Sequence, residues 1–174
     1  VDMASTLQVD GAITSSAGAT ITVADNSDVL SLVSTDADAN IGPVLSMYRN
    51  SSSPADSDSL GIIDFDGRND NSQDVLYAQI FSTASDVSDG TEDGALYLQT
   101  IVAGTKRERV SIVPTETVFN NAAVDLDFRV ESDDHTHMLF VDAGNNAVGI
   151  KNDSPHDASW AADGADTAQL SIGN

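Results

Sequence analysis

The sequence predicts an all-β fold, and three observations carry the prediction. Apolar residues recur in short runs with a period of two. Gly, Asn, Asp, Ser and Pro bound almost every run. No window of about 11 residues or more keeps the apolar 3.6 period of a helix. Leu, Ile, Val and Phe total 42 of the 174 residues, barely above the range of disordered chains. Their order, more than their abundance, therefore argues for folding.

Residues 1–24 are expected to form a thin shaft segment. Leu7, Val9, Ala12, Ile13, Ala19, Ile21 and Val23 sit among Ser, Thr, Gly and Ala, and small side chains suit chains wound closely together. A flexible linker is the alternative, but apolar residues return too regularly for a Gly/Ser linker. Residues 25–114 read as a β-sandwich-like domain. Its expected strands are Val29–Ser34, Val44–Arg49, Gly61–Asp66, Val75–Phe81, Ala95–Val102 and Lys106–Val113. Ser53-Pro-Ala-Asp56 suits one helical turn, with Ser53 as cap and Pro54 in the first position. Ala103-Gly-Thr105 reads as a tight hairpin with Gly104 at the turn.

Residues 115–155 form the third segment. Val124, Leu126, Phe128 and Val130 alternate with Asp125, Asp127, Arg129 and Glu131, which puts apolar and charged groups on opposite faces. Runs at His135–Val141 and Ala147–Ile150 follow, with Asp142-Ala-Gly-Asn-Asn146 as a turn between them. Three short strands are too few to be stable alone. This segment must bury its apolar face against a partner.

Two stretches also resemble known proteins. DFRVESD (127–133), then MLFVDAGNNAVGI (138–150) and a later Ser154-Pro155, resemble a module of bacteriophage tail-fibre and tail-spike proteins. That family usually shows a second glycine where this chain has Lys151. Residues 30–69, 75–80, 89–100 and 102–112 resemble a β-rich module of the same fibres. The resemblance implies a parallel homotrimer in a virion, hence intertwined trimeric β shaft segments at 115–155 and near the N-terminus. Residues 156–174 resemble the start of a following module. With no signal peptide ahead of Val1, the chain is expected to be an interior piece of a longer polypeptide.

Charge and composition bound the partners. The formal charge is −21, from 28 Asp and Glu against 7 Lys and Arg. Such a surface repels nucleic acid and anionic membranes, and no run approaches a membrane span in length. There is no Cys, so oligomerisation is an expected source of stability. The expected setting is extracellular and saline. The expected partners are two further copies of the chain, other tail proteins of the virion and, weakly, a host surface glycan.

Each candidate site has an ordinary structural alternative. His135 and His137 project from one face if they lie in a strand. On a three-fold axis, three such pairs would offer six nitrogens to an octahedral metal such as iron. The alternative is two solvated histidines beside Asp133 and Asp134. Three Asp-rich loops, 36–40, 64–69 and 86–93, carry alternate acids that suit calcium, but none places a Glu at an EF-hand's twelfth position. Turn chemistry accounts for them equally. Tyr48, Tyr77, Tyr97 and Trp160 are candidates for stacking on sugars, or for core roles. No nucleophile elbow, P-loop or HExxH motif occurs, so no enzyme activity and no cofactor is expected. Lys106-Arg-Glu-Arg109 is expected to pair with nearby acids. A secreted or cell-surface prokaryotic adhesion module that binds carbohydrate, with or without calcium, is the alternative to a fibre segment. A polysaccharide depolymerase is a more remote one.

Overall fold

A computed structural model describes residues 9–155 and the backbone of 170–172. The chain divides into two units, Val1–Ser46 and Met47–Asn174. The all-β class holds: the described residues contain strands and no α-helix.

In the first unit, the described residues form neither strand nor helix, and all are exposed. The strand expected at Val29–Ser34 does not form, and Val44–Arg49 is irregular as well. Alternation makes a strand only where a ladder partner satisfies its backbone. Local side chains compete for the backbone instead. Asp25 accepts the Ser27 N–H at 2.9 Å and Asp38 accepts the Asn40 N–H at 2.8 Å, as Asx turns do.

The second unit opens with an antiparallel sheet of five strands in sequence order. They are β1 Asp58–Arg68, β2 Asp74–Asp86, β3 Asp93–Val102, β4 Thr105–Val113 and β5 Glu116–Phe119. The turn at Ser53–Asp56 is not helical. Asp58 Oδ2 accepts the Ala55 N–H at 3.1 Å, and Arg49 pairs with Asp58 at 2.8 Å. Each hairpin has its own chemistry. Between β1 and β2, Asn69 Oδ1 accepts the Asn71 and Gln73 N–H groups at 3.0 and 2.9 Å. Ala103 and Gly104 join β3 to β4 with φ of 46° and 77°, the doubly positive pattern of a two-residue hairpin turn. Pro114 and Thr115 turn the chain into β5, where Pro supplies the φ of a turn and no ladder donor.

Register decides what each face of this sheet carries. One row runs Ile63–Ile80–Leu98–Val110–Phe119, one residue from each strand. On the same face lie Leu96 and Ile112. The opposite face carries Ile62–Phe81–Tyr97–Ser111–Val118. There the Phe81 and Tyr97 rings stack at 4.6 Å. Asp64, Gln79, Gln99 and Glu108 continue that second face as a polar row.

The second sheet is smaller. β6 Phe128–Val130, β7 Leu139–Asp142 and β8 Ala147–Ile150 are antiparallel, and β9 Leu170–Ile172 adds parallel to β8. The strand expected from His135 starts only at Leu139, because residues 131–138 form the β6–β7 turn. Likewise, only the end of the 124–131 alternation is strand. Asn120 organises the part before it, donating from Nδ2 to the carbonyls of Val124 and Leu126 at 2.7 and 3.2 Å. Phe140, Ala147, Gly149 and Pro155 are buried here. Phe119 meets Phe128 at 4.8 Å, so the end of the first sheet touches the start of the second.

Candidate functional site

The five-stranded sheet is the main candidate, because among the described residues its large apolar side chains stay half-exposed. Ile63, Leu96 and Ile112 are 39–43% exposed and Phe119 is 52% exposed. Of the large apolar side chains on this sheet, none is fully buried; only Ala95 and Ser111 are. Met47 lies over one corner. Gly61 leaves room for it, since a Cβ there would sit 3.0 Å from the Met47 Sδ. Beside it is an open hollow of about 260 Å³, lined by Met47, Leu60, Ile63, Ile80 and Leu96 among others. A sheet whose two faces both carry half-exposed Ile, Leu, Phe and Tyr is built to be covered.

The charges on its edges are arranged unevenly. Arg68 pairs with Asp74 at 3.0 Å across the first hairpin. Lys106, Arg107 and Arg109 make no ion pair among the described residues, contrary to the expected pairing with nearby acids. Arg109 Nε donates instead to Thr100 Oγ1 at 2.6 Å, and Glu108 accepts the Asn121 amide at 2.6 Å. Glu108 and Arg109 thus have other partners, and the Arg107 guanidinium, half-buried, has no acid partner among the described residues.

The turns around the second sheet give its acids and glycines specific structural roles. Asp142 is buried and accepts the Asn145 N–H and side-chain amide, both at 2.9 Å. Asp127 accepts the Ala143 N–H at 3.0 Å, and Asp125 lies against Gly144. The acids that alternation places on a solvent face therefore brace the β7–β8 turn. After β8 the chain folds back: a Cβ on Gly149 would meet the Asn152 carbonyl oxygen at 2.6 Å and Pro155 at 3.2 Å. Lys151 takes φ of 54°, a left-handed conformation that glycine adopts more easily.

His135 and His137 both lie in the β6–β7 turn, half-buried. Nδ1 of His135 accepts the His137 N–H at 3.2 Å. That bond places the ring proton on Nε2, so a metal at Nε2 would require the bond to break. The His137 ring packs edge-on to Phe140 at 4.8 Å, and its Nδ1 is 2.9 Å from Thr136 Oγ1. Among the described residues, no three His, Asp or Glu side chains converge as a metal group would require.

The Asp-rich loops use their acids locally. Asp86 accepts the Ser88 N–H at 2.7 Å, and the Ser88 side chain and N–H hold its carboxyl below the ordinary value of 3.8. Glu92 accepts the Gly90 N–H at 3.1 Å. Asp64 accepts the Gln79 amide at 2.6 Å. Tyr48 is exposed, Tyr77 rests on Gly67, and Tyr97 is stacked on Phe81. Trp160 and His156 lie outside the described residues. Among known proteins, no family model, curated protein or solved structure matches this chain.

Proposed function

We propose that this chain is a structural, non-catalytic segment of a trimeric bacteriophage tail fibre, which spaces and presents a receptor-binding tip toward the host surface. The observation that carries the reading is the half-exposed apolar face of the five-stranded sheet. One chain builds a continuous five-strand apolar row and leaves it half-exposed. Burial of such a row is worth about 25 cal/mol per Å², so association with further copies is the natural way to stabilise it. The resemblance of 30–69, 75–80, 89–100 and 102–112, and of 127–133, 138–150 and Ser154-Pro155, to fibre modules suggests the number three and the setting.

The strands suit a spacer. Antiparallel ladders join consecutive strands through short turns, so stiffness is built from local contacts. Asp-rich turns and a charge of −21 keep the outer surface solvated. Sedimentation equilibrium tests the reading. The fibre segment is expected at three times the 18.1 kDa of one chain, and electron micrographs of that species are expected to show thin rods. A stable, folded monomer would overturn it and favour a single-copy adhesion module.

A further inference from the structure

We infer that neighbouring copies meet edge to edge and head to tail, the acidic β1 edge of one chain against the basic β4 edge of the next; this rests on the oligomer proposed above. The register places the two edges level with one another. Phe65, Ala78, Thr100 and Arg107 form one row across four strands. Asp64 and Asp66 flank Phe65 at one end of it; at the other stand Lys106 and Arg107, followed by Glu108, whose carboxylate accepts the Asn121 amide. Three strand spacings separate β1 from β4, about 14 Å. That exceeds the screening length of about 8 Å at physiological salt, so the two charge groups do not neutralise each other within one chain.

Among the described residues, both edges are open. β1 is an outer strand of the sheet. β5 covers only Val110–Val113 of β4, so Thr105–Glu108 has a neighbour on one side alone. Lys106 and Arg107 have no ion-pair partner among the described residues. In a chain with 28 acids and 7 Lys and Arg, two adjacent unpaired cations on an open edge are a specific complement to the Asp64–Asp66 edge.

Two different patches that complement each other give a heterologous contact, which closes into a ring or grows without end. With the Ile63–Phe119 row turned toward the axis, the ring also covers the apolar face. That face spans five strands of about nine residues, on the order of 700 Å². A stable interface uses about 800 Å² per partner, so face and edges together reach the required size. Charge then sets register and direction while the apolar row supplies affinity.

Charge exchange in the full chain tests the inference. Lys106→Glu with Arg107→Glu, or Asp64→Lys with Asp66→Lys, is expected to weaken association on the order of tenfold or more at low salt. All four substitutions together restore the complement with its sign reversed, and association is expected to return to within about threefold of the parent. A parent that assembles, with single-edge variants that assemble equally well, overturns the inference and leaves the trimer standing. A parent that is monomeric overturns both. If the charge variants fail to fold, a cysteine pair decides. The chain has no cysteine of its own, and Asp66→Cys with Lys106→Cys is too widely spaced to bridge within one chain. Oxidation is expected to give covalent dimers and trimers on a non-reducing gel. Monomer bands alone overturn the inference.

Discussion

Gly149→Ala tests whether the turn after β8 is as tightly closed as its geometry indicates. Gly149 is opposite Phe140 in the β7–β8 ladder, and both are buried. The added methyl would stand 2.6 Å from the Asn152 carbonyl oxygen and 3.2 Å from Pro155 Cβ. Carbon–oxygen contacts of about 3.3–3.6 Å are the usual close limit, so the Asn152 peptide must retreat by roughly 0.7–1 Å. It cannot do so freely. Lys151 N–H is tied to the Met138 carbonyl at 3.1 Å, Ser154 N–H to Asn152 Oδ1 at 2.9 Å, and Pro155 is fully buried. Overpacking costs about 1–3 kcal/mol, and a backbone obstacle puts this case near 3. At about 4–8 °C per kcal/mol for a small domain, the midpoint should fall by roughly 12 °C or more. Circular dichroism melts measure this, and hydrogen exchange across 139–155 should show the loss locally. Gly94→Ala is the control, since its nearest neighbour would be Thr83 O at 3.9 Å; a change within about 0.5 kcal/mol is expected. Adding Pro155→Ala should not rescue Gly149→Ala, because the carbonyl remains. A Gly149→Ala protein as stable as its parent would refute this reasoning.

Lys151→Gly should act in the opposite direction. The left-handed conformation at φ of 54° costs a side-chain-bearing residue about 1–2 kcal/mol, partly offset by the greater freedom of unfolded Gly, so a gain of about 0.5–1 kcal/mol is expected in denaturant melts. His137→Ala should cost about 1 kcal/mol through the lost ring contact with buried Phe140, whether or not a chelator is present. A parent destabilised by chelator would instead assign the imidazoles to a metal, and elemental analysis would identify it. The Asp86 carboxyl is held below its ordinary 3.8, first by the Ser88 side chain and then by its N–H. Its stabilising contribution is therefore present above 3.8 and lost as pH falls through the lowered folded value. Ser88→Ala should move the Asp86 titration, followed by carboxyl NMR, upward; an unmoved titration would remove the hydroxyl from the account. Finally, at −21 per chain, the midpoint should rise with salt from millimolar to seawater strength, and a flat response would mean locally compensated charge.

Local chemistry by itself determined the class and much of the first sheet. Alternation in 61–66, 75–81, 95–102 and 106–113 marked β1 to β4, because side-chain direction along a strand is a property of the backbone. Ala103-Gly104 and Asp142–Asn146 were legible as turns for the same reason: their φ demands are local. The alternation and turn residues at 127–155 were visible as sequence, but not what those residues do. Asp127 bracing Ala143, Gly149 admitting Asn152, and Asn120 tying down 124–126 all join residues that the fold brings together. Tertiary structure alone decided which alternating runs became strands. Val29–Ser34 has the pattern of a strand and no ladder partner among the described residues, whereas Glu116–Phe119 has only four residues and is a strand because β4 lies beside it. Pattern says which way side chains would point; a neighbouring backbone, supplied by the fold, says whether the strand exists. The same distinction holds for charge. Lys106 and Arg107 can be read as basic from their letters, but that they stand unpaired on an open edge, level with Asp64 and Asp66, follows only from the register of four strands.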